Sequence, residues 1–149
     1  MTNYDNFIKS LVMGKTHALT ITLKFDSVEE SKFARRLRFE ETIRHLVYRI
    51  ERLCFRKLHR RNGLRIGVVV VVEDGTKNER MHAHLALQCP VIVGKGAFEN
   101  LVIFAISKCK TLGGAFALKP ITHSDGWAQY LAKDGPSAFF PQCTQHSNP

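Results

Sequence analysis

Five consecutive valines, Val68 to Val72, lie inside the run Leu64 to Glu73. β-Branched side chains lose rotamer freedom in a helix and pack well on a pleated surface. The run therefore reads as a central strand, buried on much of both faces. Asp74-Gly75-Thr76-Lys77-Asn78 follows as turn material. Met81-His82-Ala83-His84-Leu85-Ala86-Leu87 then reads as a second strand, which Pro90 ends. The two should form an antiparallel hairpin with a modest loop. Side chains alternate along a strand, so His82 and His84 share one face while Ala83, Leu85 and Leu87 point to a core. Taken alone, such a His-x-His pair is ordinary strand surface, and its meaning depends on what stands around it.

Directly opposed residues of an antiparallel pair share a face. If Glu73 lies opposite His82, then Val71 lies opposite His84 and Gly67 opposite Gln88. In that register Glu73 joins the two histidines as a third metal ligand. Asp74 would need a bulge to do so, and Glu79 faces away. Two imidazoles and one carboxylate leave coordination positions open for water or substrate, as a catalytic metal requires.

The rest of the chain supplies a frame for this hairpin. Residues 1–16 read as a flexible lead-in with a short helical turn around Phe7 to Val12. His17 to Phe25 alternates Leu19, Ile21 and Leu23 with Thr20, Thr22 and Lys24, the pattern of a half-buried strand. Ser27 with Glu30 fits a capping box, so a helix is expected to start there. Its apolar residues recur at helical spacing (Phe33, Leu37, Ile43, Leu46, Val47, Ile50), and its many arginines read as a solvated face. It should stop before Asn62-Gly63, where glycine takes a left-handed cap. Phe98 to Lys108 is a second helix, Gly113-Gly114 a turn, and Ala115 to Ile121 a last strand, placed at an edge by Pro120. Ser124 or Asp125 caps a short helix, Gly126 to Lys133. The tail from Pro141 onward is polar and expected to be mobile.

The order β-α-β-β-α-β predicts an α+β fold: a ferredoxin-like, split βαβ antiparallel sheet with helices packed on one face and the other face left to bind. One domain over residues 1–149 is expected.

Charge narrows the partner. Lys and Arg total 22 against 13 for Asp and Glu, a formal net charge of +9. That points to a polyanion, nucleic acid first. The four cysteines form no Cys-x-x-Cys pair, which argues against a zinc knuckle or a thioredoxin-like site. No signal peptide and no run of membrane-spanning length is seen, so a cytoplasmic protein with free thiols and no membrane partner is expected.

Tyr130 and Lys133 stand three apart on the short last helix and therefore share a face. A phenol is a poor nucleophile while protonated, and a neighbouring ammonium stabilises the phenolate. Packing alone also explains such a pair. Trp127 on the same helix reads as packing, and His123 and His17 as histidines without a chemical role.

Taken together, these pieces resemble the HUH endonucleases, in particular the single-tyrosine initiators of rolling-circle replication. Leu19-Thr20-Ile21-Thr22-Leu23 loosely matches their first motif. Glu73 with His82-Ala83-His84 matches the second, although Ala83 is small for its middle position. Tyr130-Leu131-Ala132-Lys133, followed by Asp134, matches the third. The resemblance covers about residues 16 to 135. It implies a metal-dependent, sequence-specific endonuclease and ligase of single-stranded DNA, with Mn²⁺ or Mg²⁺ on Glu73, His82 and His84. It further implies Tyr130 as the nucleophile that forms a 5′-phosphotyrosine link and frees a 3′-hydroxyl, with Lys133 assisting. The expected partners are an origin in single-stranded DNA, with or without a hairpin, and a host helicase. No Gly-x-x-x-x-Gly-Lys-Ser/Thr is present to supply a helicase activity in the chain itself. A monomer or weak oligomer is expected.

Two other classes compete. A single-tyrosine transposase would share the chemistry. A non-catalytic, RRM-like single-strand binder would present aromatics on its sheet, whereas here the exposed face shows Thr, Glu and His. Relaxases fit poorly, since they use three histidines and an N-terminal tyrosine. A structural zinc site would want a fourth protein ligand, and no cysteine has the spacing.

Overall fold

The structure is a computed structural model describing residues 2–23, 31–56, 62–74 and 80–147. Its elements run α1 (Asn3–Val12), β1 (His17–Leu23), α2 (Lys32–Phe55), β2 (Val68–Glu73), β3 (His82–Leu87), α3 (Lys95–Ser107), β4 (Leu112–Pro120) and α4 (Ser124–Ala132), then a 3-10 turn at Pro136–Ala138. The four strands pair antiparallel in the order β2-β3-β1-β4. This is the expected α+β, split βαβ architecture of an antiparallel sheet with helices packed on it. No described helix is long and apolar enough to cross a membrane.

Strand alternation sorts the side chains onto two faces. Leu19, Ile21 and Leu23 of β1 join Val68, Val70 and Val72 of β2 and Ala83, Leu85 and Leu87 of β3 on one face. There they meet Phe39, Ile43, Leu46 and Ile50 of α2 and Phe98 and Val102 of α3. Each such side chain, moved from water into this core, contributes about 1.5–3 kcal/mol. The second face is not left open throughout. Val69, Val71 and Ala86 are buried there against Ile8, Leu11 and Val12 of α1 and Ala128, Leu131 and Ala132 of α4. Among the described residues the β1–β4 half is left uncovered, with Ala115 and Ala117 exposed on β4.

Several expectations are corrected. The lead-in is a regular helix, α1, closed by a capping box between Thr2 and Asp5 and anchored by Ile8 and Val12, both fully buried. The expected Ser27–Glu30 capping box lies outside the described residues. Within them α2 begins at Lys32, with the Ser31 hydroxyl accepting from the Ala34 amide. It ends at Phe55, before Asn62-Gly63, and Arg56 takes a positive φ of 49° at its C-cap. Strand β2 starts at Val68 rather than Leu64. Gly113 and Gly114 belong to β4, because its pairing to β1 extends through a bulge to Leu23 opposite Leu112.

The largest correction concerns β2 and the tail. β2 is an edge strand, not a central one. Its outer edge is covered by the chain after α4. The Phe140 amide donates to Val70 O at 2.9 Å, and Val68 and Gln145 exchange both backbone hydrogen bonds. Val70 N donates to the Thr144 hydroxyl. The Gln145 amide group bonds the Ile66 carbonyl and Glu51, a nearly buried carboxylate that also accepts from Ile66 N. An exposed strand edge invites unwanted pairing, and here the tail satisfies it. The tail is therefore structural through Gln145 instead of mobile from Pro141.

This gives a stability test. Phe140 is 2% exposed, lies in the main core, and carries Arg36 over its ring at 4.8 Å. Phe140→Ala should cost about 3–5 kcal/mol in urea unfolding. A cost near zero would mean the tail does not hold the edge.

Candidate metal centre and nucleophile

The hairpin register places the acid and the imidazoles together. Glu73 is the Cα partner of His82, and Val71 of His84. The Glu73 carboxylate meets both rings: Oε2 contacts His82 Nε2, and Oε1 lies 3.4 Å from His84 Nε2. One ligand atom from each of Glu73, His82 and His84 lies within 4.8 Å of the other two. The two rings stand edge to face, 5.0 Å between centroids.

Hydrogen bonds on the far side of each ring orient it. His82 Nδ1 lies 3.2 Å from the Arg80 carbonyl. A carbonyl only accepts, so Nδ1 carries a proton and Nε2 is the nitrogen turned toward Glu73. His84 Nδ1 bonds the Thr20 hydroxyl at 2.9 Å, and Thr20 is the β1 residue directly opposite His84. The two carboxylate oxygens each face one imidazole nitrogen, which brings three potential ligand groups to one point beside the Lys133 ammonium. The donor set fits a divalent metal without selecting one, since two imidazoles and a carboxylate suit zinc or iron as well as manganese.

Helix α4 delivers the tyrosine. Its buried residues Ala128, Leu131 and Ala132 are small or branched and seat it against the sheet, which turns Tyr130 and Lys133 toward the cluster. Tyr130 Oη lies 3.4 Å from His84 Nε2, and the rings stand edge to face at 4.8 Å. Lys133 touches Glu73 Oε1 and sits 4.1 Å above the Tyr130 ring. Trp127 stacks on the same tyrosine, with ring centroids 5.2 Å apart. All five expected site residues therefore converge: Glu73, His82, His84, Tyr130 and Lys133. Tyr130 keeps 39% of its surface exposed, so a substrate can reach it.

The electrostatics follow from the packing. Burial raises the Glu73 carboxyl, but the Lys133 ammonium and the two imidazoles outweigh it and hold the group down at about 2. Burial lowers His84 to about 4, more than the Glu73 charge raises it, so its ring is neutral at pH 7 with a lone pair to offer. Lys133 is raised by its bond to Glu73. Asp134 is raised, first by burial and then by its hydrogen bond to Glu73 and that residue's charge.

The other residues singled out from the sequence sort differently. Asp74 does not join the cluster; Lys32 and Arg36 hold it at 3.3 and 3.7 Å. His17 is fully buried between Thr16, at 2.8 Å, and Glu99, at 2.9 Å, a structural linkage from β1 to α3. His123 has a role after all, as the cap of the tyrosine helix. Its Nδ1 accepts from the Gly126 amide at 2.9 Å, in place of the expected Ser124 or Asp125. A Cβ at Gly126 would lie 2.9 Å from that nitrogen, so a larger residue would push the His123 ring aside and loosen the cap. Sequence reasoning missed this cap because histidine is not among the usual capping residues. It also missed Thr20, whose position across the sheet depends on the β1–β3 register.

Comparisons with protein-family models, with curated proteins and with solved structures find no match.

The low His84 value makes stability pH-dependent. Between its ordinary 6.5 and about 4, the unfolded chain binds the proton that the native state refuses. Metal-free stability should therefore fall as pH drops through that window. Glu73 extends the loss from 4.5 toward about 2, because its ionised form is the one the fold holds. Urea midpoints measured in EDTA should show this slope, and His84→Gln should flatten it between pH 6.5 and 4. An unchanged slope in the variant would place the titration elsewhere.

Proposed function

We propose that the chain is a metal-dependent nickase and rejoining enzyme of single-stranded DNA, of the HUH type, acting as a rolling-circle replication initiator. One observation carries this reading: the Tyr130 hydroxyl lies 3.4 Å from His84 Nε2, inside a Glu73–His82–His84 cluster to which Lys133 is also bound. A structural metal site has no use for a half-exposed phenol beside its ligands. The formal charge of +9 supports a polyanionic substrate. An origin in single-stranded DNA, with a helicase supplied by the host, is the partner set proposed.

Glu73, His82 and His84 would hold Mn²⁺ or Mg²⁺. Such an ion, when bound, polarises a phosphoryl oxygen and offsets the charge that develops on it. Tyr130 Oη attacks phosphorus, the phosphorus–O3′ bond breaks, and the 3′-oxygen leaves as a hydroxyl once protonated. The phenolic proton passes to solvent, which the exposure of Tyr130 allows. Lys133 lies over the Tyr130 ring, where its charge would offset that developing on a phosphoryl oxygen, and is itself held by Glu73. Trp127, stacked on the ring, restrains it. A DNA 3′-hydroxyl attacking the phosphotyrosine reverses the step, restores the phenol and rejoins the strand.

The test is a pool of single-stranded oligonucleotides incubated with the protein in Mn²⁺ and run on a denaturing gel. A DNA-sized shift of the protein band is expected, lost in EDTA and in Tyr130→Phe, while Tyr130→Phe still binds DNA. An adduct that persists in Tyr130→Phe would reassign the nucleophile. Absence of any adduct from a broad pool would move the chain to the non-catalytic binders.

Metal binding has its own readout. Thr20→Val removes the hydroxyl that orients His84 and should weaken Mn²⁺ binding, followed by calorimetry, by about tenfold. Equal affinity would mean that the Thr20 hydroxyl does not orient a metal ligand.

A further inference from the structure

The sheet face away from His82 and His84 carries α2 and α3. Between these helices lies a cleft of about 230 Å³, lined by Arg49, Arg52 and Leu53 of α2 and by Phe104, Ala105 and Lys108 of α3. Its shape follows from the sequence. Ala105 is buried, and its single methyl leaves a hollow between the larger Leu53 and Phe104. Phe104 is 49% exposed and its neighbour Ile103 43%, on a helix whose inward face is already filled by Phe98, Val102 and Ile106. The rim is cationic, and its charges lie along aromatic faces rather than against carboxylates. Lys108 Nζ lies 5.2 Å over the Phe104 ring, and the Arg52 guanidinium 5.8 Å over Tyr48. Among the described residues, none of Arg49, Arg52 and Lys108 forms an ion pair.

We infer that this cleft docks an acidic, amphipathic peptide segment of a partner protein. One large apolar side chain would seat against Leu53, Phe104 and Ala105, with flanking carboxylates on Arg49, Arg52 and Lys108. The volume falls below the about 300–1,000 Å³ of small-molecule pockets, so it suits a side-chain anchor. Charge complementarity selects the occupant. A second copy of this chain would bring another +9 to a cationic rim. Nucleic acid would satisfy the cations, but a base stacking on Phe104 would compete with Lys108, whose ammonium already lies over that ring. An apolar anchor between carboxylates satisfies both parts of the cleft, and well-packed aromatic anchors carry much of the energy in such contacts. The site lies across the sheet from Tyr130, so a docked partner and bound DNA do not compete for space. The inference does not depend on the nuclease reading.

Random-sequence peptides displayed on phage and selected on the immobilised full chain provide the test. The enriched peptides should share an apolar residue flanked by Asp or Glu. A labelled peptide from that pool should bind the wild-type chain, and its affinity should fall about tenfold or more in Phe104→Ala. The surface charge reversals Arg52→Glu and Lys108→Glu, combined, should abolish binding while leaving the circular dichroism spectrum unchanged. The DNA adduct assay, run on the same variants, is expected to be unaffected and reports on the nuclease reading separately. Enrichment of no common motif, or of one without carboxylates, would overturn the inference. So would equal peptide affinity in Phe104→Ala. Displacement of the peptide by oligothymidylate would overturn it in favour of a nucleic-acid surface.

Discussion

The pairing of Glu73 with His82 is the constraint on which the candidate site depends. A strand alternates its side chains, so a slip of one residue would send both histidines into the α2–α3 core and bring Ala83 to the site. β2 cannot resist such a slip by itself, because Val68 to Val72 are buried on both faces and look alike from either side. The discrimination comes from β3 and its second neighbour. Ala83, Leu85 and Leu87 fill the main core, and β1 places Thr20 opposite His84 with a hydrogen bond between them. The register is thus held by the middle of the sheet, while the tail closes β2 from outside.

Given that register, the second layer brings the rest of the site. α1 and α4 cover the half of the face that belongs to β2 and β3, through Ile8, Leu11 and Val12 against Ala128, Leu131 and Ala132. Small residues on α4 let it approach closely enough for Tyr130 and Lys133 to reach the cluster. The same helix thus supplies a phenol and the cation that keeps Glu73 ionised against the cost of its burial. The uncovered β1–β4 half lies beside it. The opposite face, with its cationic cleft, stays available for a different partner.

Much of this was legible along the chain. The face of β3 that carries both histidines could be read from alternation, because the other face is apolar, and the pairing of Glu73 with His82, a condition in that reading, is the one the sheet adopts. Tyr130 and Lys133 could be placed on one helical face by their spacing. What could not be read depended on contacts far apart in sequence. α1 looked like a loose end because its apolar residues Ile8, Leu11 and Val12 find their partners on α4, more than a hundred residues later. The tail looked mobile because it is polar, yet its backbone bonds to Val68 and Val70 need no apolar signal. β2 looked central because both its faces are buried, a property that helices and a covering tail can confer on an edge strand as well.

By itself, then, the sequence determined the α+β class, the hairpin and which residues of β3 share a face with the two histidines. These follow from periods of two and of about 3.6 residues, which are local properties of the backbone. Only the tertiary structure decided that Tyr130 comes within 3.4 Å of His84, that Thr20 orients that ring and that His123 caps the tyrosine helix. It also decided that Gln145 and its neighbours close the sheet. Such placements depend on which layers pack together and how closely, and burial of apolar surface is non-directional, so no periodicity in the chain encodes them.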